Sequence, residues 1–315
     1  MRFLILLLLA NITFAEISYK LGLGSCLHQD YPAPAWTSLK KESIDTFFFL
    51  GDNIYGDVPS GKLDNIKISY EKLNTQMPEW LRKTEKLVIW DDHDYGLNDA
   101  GANYIYKVQS QQIYNDAWNI DQNDPRRSRE GIYFSELKDI QGKKVLFIGL
   151  DTRYFRDKLI KVGNAYKPNK HTNTTVLGAI QWKWLEKEIS QDHDILILGS
   201  SIQVLPTEHR FEKWSNFPNE RNKLLELLNK LTSNVLIVSG DRHRSGFYKQ
   251  DNIYEFTSSS LNRGIFPSYE TDSLLLGKTY TQNNYGIVEF YEDSLNLFIK
   301  DENMKILESL EIPLK

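Results

Sequence analysis

Asp45-Thr46-Phe47-Phe48-Phe49-Leu50-Gly51-Asp52-Asn53-Ile54-Tyr55-Gly56-Asp57 is the stretch from which the fold class is read. Residues 45–50 form a short apolar run that reads as a strand buried on both faces. It stops at a glycine, and an ordinary turn does not require the polar set that follows, two aspartates, an asparagine and a tyrosine between positions 52 and 57. The pattern recurs along the chain. Strand Ile17–Gly24 runs into Ser25-Cys26-Leu27-His28. Strand Lys86–Trp90 runs into Asp91-Asp92-His93-Asp94-Tyr95-Gly96-Leu97-Asn98-Asp99, and Asn234–Ser239 into Gly240-Asp241-Arg242-His243. Val145–Leu150 and Asp194–Gly199 complete the buried runs. Helices are predicted over Gly178–Ser190, with Trp182, Leu185 and Ile189 spaced for packing. A second is predicted over Glu220–Leu231, with Leu224, Leu227, Leu228 and Leu231 on one face. Strand–helix alternation argues for an α/β fold with a largely parallel sheet. Asn252–Thr257, Tyr285–Tyr291 and Leu295–Lys300 are separated by polar turns and read as antiparallel additions. Val58–Ile66 and Asp157–Thr175 read as surface loops. With no repeat, low-complexity stretch or linker, residues 16–315 are expected to form a single domain.

Composition narrows the function classes. Of 315 residues, 41% are hydrophobic and 12% aromatic, enough for a packed core and too many for a disordered or fibrous chain. Lys and Arg number 38 against 42 Asp and Glu, a net charge of −4, with no basic block to grip nucleic acid. The one cysteine, Cys26, excludes an intramolecular disulfide and any thiolate cluster. Met1-Arg2, the apolar run Phe3–Ala10 and small residues around Ala15 read as a signal peptide cleaved after Ala15. The run is well short of the ~20 residues that span a bilayer. The mature chain is therefore expected to lack a membrane span and to be exported, to a periplasm or the extracellular space.

In open α/β sheets, ligands bind beyond the carboxyl ends of strands, so the polar clusters are expected to converge. Asp52, Asp57, Asp91, Asp92, Asp94 and Asp241 would then repel one another in a partly dry cleft, and bound cations would relieve the repulsion. Carboxylate and carbonyl oxygens suit Ca²⁺, Mg²⁺ or Mn²⁺, whereas a thiolate suits a softer transition metal. Two metals about 3.5–4 Å apart are the usual device for in-line displacement at phosphorus.

Gly51-Asp52-Asn53-Ile54-Tyr55 resembles the GDxxY motif of purple acid phosphatases. Asp91-Asp92-His93-Asp94 stands where binuclear metallophosphoesterases carry GNH[DE], and Gly240-Asp241-Arg242-His243 where they carry GHxH. Gly24-Ser25-Cys26, Trp90–Asp99, Leu150–Asp157, Gln181–Glu186, Trp214–Arg221 and Ser239–His243 together resemble the PhoD-type alkaline phosphatase/phosphodiesterase family. The resemblance covers residues 22 to about 262. It implies a four-layer α/β-β-α sandwich of calcineurin-like architecture and hydrolysis of phosphomonoesters or phosphodiesters by in-line attack of a metal-bound hydroxide. It implies a mixed Fe³⁺ and Ca²⁺ site, with other divalent metals open, and a small phosphate ester as the substrate.

The same resemblance assigns roles. Asp52 would bridge the metals, Tyr55 would be a phenolate ligand to ferric iron, and Cys26 an iron ligand where the wider superfamily opens with Asp-x-His. Cys26-Leu27-His28 keeps that spacing, and whether His28 binds is left open. Asp92 takes the place of the metal-binding asparagine, with Asp91 an equal alternative. Asn98 adds an oxygen donor, and Asp241 and His243 form the last ligand pair. His93 would face phosphate or protonate the leaving oxygen, a task for a group titrating near neutrality. Arg153, in Leu150-Asp151-Thr152-Arg153, would clamp phosphate oxygens with its guanidinium fork. Ser200-Ser201-Ile202-Gln203 is expected at the cleft rim, where Tyr31, Trp36, Tyr95 and Tyr104 could shape an alcohol pocket. His171, His193 and His209 lie outside the motifs and read as structural or exposed. Lacking Asp-x-His and Gly-His-x-His, the chain does not imply a histidine-rich di-zinc site. Two other readings stand beside this one, a non-catalytic calcium-binding protein of the same fold and a hydrolase of non-phosphate esters.

Overall fold

The computed structural model describes residue 17 and residues 19–315; the expected signal peptide, residues 1–15, lies outside them. Two mixed sheets face each other between helices. In the first, Tyr19–Gly24, Thr46–Leu50 and Glu85–Ile89 run parallel. Asn284–Phe290 joins this sheet antiparallel to Tyr19–Gly24, followed by Ser294–Asp301 and Ile306–Pro313. In the second, Lys143–Gly149, Ile195–Ser200, Asn234–Ser239 and Ile253–Thr257 are parallel. Antiparallel strands close its edges.

Period-2 alternation explains the layering. Val145, Phe147, Ile195, Ile197, Leu236 and Val238 point into the core shared with the first sheet. Their neighbours Leu146, Ile148, Leu196, Leu198, Val235 and Ile237 pack under helices Gly178–Ile189 and Pro218–Asn229. On the first sheet, Phe48 faces Phe134 across the sandwich, while Phe47 and Phe49 pack on Trp36 and Trp118 in the outer helical layer. The result is the expected four-layer α/β-β-α sandwich. It also explains why these strands read as continuous apolar runs: both faces are covered.

Three expectations need correction. Ile253–Thr257 is no antiparallel addition to Asn234–Ser239 but runs parallel to it. The chain first makes the antiparallel hairpin Ser245–Gln250, whose return strand inserts between, restoring the original direction. The loop predicted over residues 157–175 contains a short hairpin, Ile160–Val162 with Ala165–Lys167. The loop predicted over residues 58–66 gives way at Asp64 to helix Asp64–Gln76.

Candidate metal and active site

The strand ends meet. Cys26 follows Tyr19–Gly24, Asp52 follows Thr46–Leu50, Asp91 and Asp92 follow Glu85–Ile89, and Asp241 and His243 follow Asn234–Ser239 of the other sheet. Cys26, Asp52, Asp241 and His243 have φ of 54°, 51°, 66° and 50°. Non-glycine residues rarely adopt this left-handed backbone, and such outliers gather at functional sites. Two glycines permit the approach. A Cβ on Gly51 (φ 96°) would lie 2.6 Å from the Asp91 Cβ, and one on Gly240 would lie 2.6 Å from the Leu50 carbonyl oxygen.

Three ligand sets result, Cys26–Asp52–His243, Asp52–Asp92–His93 and Asp52–Asp91–Asp241, each with its donor atoms within 4.8 Å of one another. Asp52 belongs to all three. Its Oδ2 accepts from the Tyr55 hydroxyl at 2.9 Å and lies 3.6 Å from the Cys26 sulfur. Its Oδ1 and the Asp91 Oδ2 are buried without a hydrogen-bond partner among the described residues. Burial and the neighbouring carboxylates push the Asp52 and Asp91 carboxyls well above their ordinary range, although His93 and Arg153 respectively oppose the shift. Crowded acids with orphaned oxygens fit cations.

The donors differ between the sets. His243 donates from Nδ1 to the Arg263 carbonyl at 2.7 Å, which leaves Nε2 with a free lone pair, 3.4 Å from the Tyr55 hydroxyl. Burial lowers its pKa to about 4, so the ring is neutral, as a ligand must be. Ser259 donates to the Cys26 sulfur at 3.0 Å and holds the His243 backbone at 2.9 Å. Sulfur, phenol and imidazole thus occupy one side, and the carboxylates Asp91, Asp92 and Asp241 the other. Asp91 and Asp92 both reach Asp52, so the two alternatives are complementary in space. Asp92 is further held by the backbone N–H groups of His93 at 2.9 Å and Asp99 at 2.7 Å.

His93 pairs through Nδ1 with Asp57 at 2.6 Å. Burial disfavours its charge, but Asp92, Asp52 and Asp57 outweigh that and raise its pKa to about 11. Asn98 lines the cavity, its amide donating to Asp99 at 2.7 Å. His28 is outside all three sets. Its ring stacks on Tyr31 and Tyr55 at centroid distances of 4.1 and 5.3 Å, and its Nδ1 accepts from the Asp30 backbone.

Arg153 departs from the expected clamp. It is wholly buried behind the site, with Nε 2.5 Å from Asp91 Oδ1 and Nη1 2.7 Å from Glu212, which also binds Arg156 at 2.7 Å. A guanidinium so enclosed is not placed to hold a phosphate oxygen; it neutralises Asp91. Ser201, expected at the rim, is likewise buried and donates to Asp91 at 2.6 Å. Tyr95 and Trp36 belong to the core, and the aromatic groups that line the cavity are Tyr166, Phe211 and Tyr269.

Over the acidic floor opens a cavity of about 1160 Å³, lined by Asp52, Asp92, His93 and Asp241 at its base. Asp57 is among the acids expected to converge but is given no role from sequence, and Ser259 and Glu212 are not singled out at all. Asp57 carried a signal, lying five residues beyond Asp52 in the same strand-end cluster; Ser259 and Glu212 carried none, because their partners lie far along the chain.

The sequence profile of the PhoD-like phosphatase family matches residues 21–301. No curated protein sequence matches the chain. Among solved structures, one described as PhoD superposes with a TM-score of 0.71 at 18% identity, covering 94% of this chain and 68% of that one. GAP50, the anchor in the inner membrane complex of Plasmodium, gives 0.65 at 13% identity, covering 94% and 89%. The purple acid phosphatase PPD1 of yellow lupin (Lupinus luteus) seeds gives 0.65 at 11% identity, covering 95% and 54%. These likenesses establish a shared fold, and the profile match extends over most of the strands and every ligand set described above. The chain belongs to the PhoD-like phosphatase family and is a metal-dependent hydrolase of phosphoric esters.

Proposed function

We propose that the protein hydrolyses phosphomonoesters or phosphodiesters by in-line displacement over the acidic floor, with Asp52 shared between two cation sites. The observation that carries this reading is the membership of Asp52 in three ligand sets while its Oδ1 is buried and unpartnered. Cys26, Tyr55 and His243 would hold a transition metal, for which Fe³⁺, a ready partner of phenolate, is the choice; Asp91, Asp92, Asp241 and the Asn98 oxygen would hold an ion such as Ca²⁺. When bound, such ions polarise phosphoryl oxygens and acidify water.

The chain's own groups do the rest. Asp57 fixes the His93 ring through Nδ1, and His93 would carry the proton for the departing alkoxide. Arg153 and Ser201 act as positioning residues by holding Asp91 from behind. Residues 16–315 would work as one domain, exported after removal of residues 1–15; the mass of the secreted protein tests that step. The fold does not itself dictate turnover, since GAP50 carries it as an anchor, so the reading rests on the ligand sets.

The test combines metal analysis, a visible spectrum and phosphate release from p-nitrophenyl phosphate and bis(p-nitrophenyl) phosphate. Iron with calcium, and a charge-transfer band from Tyr55 or Cys26, are expected. Asp52→Asn should lower kcat/KM by roughly a thousandfold with the fold intact, the scale of losing a principal electrostatic contributor. Undiminished activity in that variant would place the chemistry elsewhere, and a protein inert with both metals would leave the calcium-binding reading.

A further inference from the structure

We infer that the cavity contains a second anion-binding subsite, built from His209, Arg242 and Arg244, that takes a second acidic group on the alcohol side of the phosphoester. The substrate part of this inference rests on the phosphoesterase reading; the subsite itself does not.

The segment Asp241-Arg242-His243-Arg244 alternates. Asp241 and His243 turn toward the candidate metal ligands, and Arg242 and Arg244 turn to the other wall of the same cavity. Arg242 pairs with Glu270 at 2.5 Å, while Arg244 donates to the Ser268 hydroxyl at 2.8 Å and to Thr279 at 3.0 Å. Both arginines are only 5% exposed, and the Nε of each is buried with no hydrogen-bond partner. Lys213, 3% exposed, donates to the carbonyl oxygens of His209 at 2.5 Å and Phe211 at 3.1 Å.

His209 completes the wall. It is 9% exposed, lines the cavity, and neither of its ring nitrogens has a hydrogen-bond partner among the described residues. Burial and the cations Arg242, Lys213 and Arg244 hold it well below its ordinary pKa, so the ring is neutral. Among the described residues Arg242 and Arg244 therefore share one contacting carboxylate, Glu270, at 2.5 and 3.7 Å, and the charge of Lys213 lies behind them. Glu208 and Asp272, at the outer edge, are engaged by backbone N–H groups of Ser273, Thr207 and Glu208. Unpaired charge and an orphaned imidazole are costly when buried, and an entering phosphate or carboxylate would satisfy both.

The opposite signs of the two walls give the substrate its shape. The phosphorus under attack sits over the acidic floor with its cations, and a second acid a short alcohol chain away reaches the basic wall. A monoester of a neutral alcohol leaves that wall empty.

Propane-1,3-diol bisphosphate and propyl phosphate, compared on the metal-loaded protein, test the substrate. The expected kcat/KM for the bisphosphate is about tenfold the higher, the scale of one charge-assisted contact. His209→Phe and Arg244→Gln should bring the ratio toward one, and Arg244→Lys should restore most of it, which a folding defect would not do. Inorganic phosphate titrated calorimetrically into chelator-treated protein tests the subsite alone, because the stripped acidic floor repels phosphate. Saturable binding that weakens in Arg244→Gln is expected. Phosphate binding without turnover of any phosphoester would uphold the subsite and remove the phosphoesterase reading. Turnover with equal constants for the two esters, or no phosphate binding, would overturn the subsite.

Discussion

Asp52 and Asp91 are both fully buried carboxylates at strand ends of the same sheet, yet the protein treats them differently. Asp91 has its counter-charge built in: Arg153, itself shared with Glu212, lies against one oxygen, and the Ser201 hydroxyl binds the same atom. Among the described residues Asp52 is hydrogen-bonded by a phenol and lies beside a thiol, with no cation in ion-pair contact; the charge of His93 acts on it only from beyond that range. A carboxylate balanced by the chain has one oxygen fixed from behind and offers only the other, whereas one left unbalanced at a shared vertex depends on a cation from outside. The same distinction separates a structural buried ion pair from a binding site of the same residue types.

The contrast can be broken most forcefully at Arg153. Arg153→Met strands Asp91, while Glu212 keeps Arg156, and should destabilise the protein by about 3–5 kcal/mol in urea unfolding, whatever metals are present. Asp52→Asn, measured in chelator-treated protein, should instead leave stability unchanged or raised, since it removes an unbalanced charge. Equal losses in the two variants would erase the distinction.

Glu255 sharpens the contrast through pH. It is a third buried carboxyl, on the far sheet, accepting hydrogen bonds from Ser239 and the backbone of Val204 and Leu205. Burial outweighs these bonds and raises its pKa to about 7. A carboxyl raised in the folded state binds its proton more tightly there. Its contribution is complete below the unfolded value of about 4.5 and is lost as pH rises through 7. Relative to Glu255→Gln, the wild type should lose up to about 3 kcal/mol between pH 4.5 and 7 and stay level above that. A flat difference would show that the hydrogen bonds alone keep Glu255 ionised. The smallest effect is expected for Ser201→Ala, about 1 kcal/mol in the same unfolding assay, because Arg153 still holds Asp91.

What was legible in the sequence follows from range. Buried strands and the acids that end them are local patterns, so the layers, the convergence of Cys26, Asp52, Asp91, Asp92, Asp241 and His243, and the family resemblance could all be read directly. Pairings across the two sheets could not. Arg153 looked like a phosphate clamp because its type and strand-end position match one, and only the fold reveals Asp91 and Glu212 closing over it. His209 looked incidental because the cations around it come from positions 213, 242 and 244. Ile253–Thr257 is antiparallel to its chain neighbour Ser245–Gln250 as expected, and its parallel pairing with Asn234–Ser239 was not legible because that second sheet neighbour is not adjacent in the chain.

The pairing of Tyr19–Gly24 with Asn284–Phe290 carries a consequence for biosynthesis. The strand that delivers Cys26 lies between a neighbour made almost at once and another made near the end of translation. The opposite rim, with Asp241 and His243, also arrives late. A nascent chain therefore holds its acids apart for most of its synthesis, and the ion pocket closes only when distant segments dock. Metal capture becomes a late maturation event, and a chain stalled before residue 284 would carry the whole motif set without a complete vessel to fill.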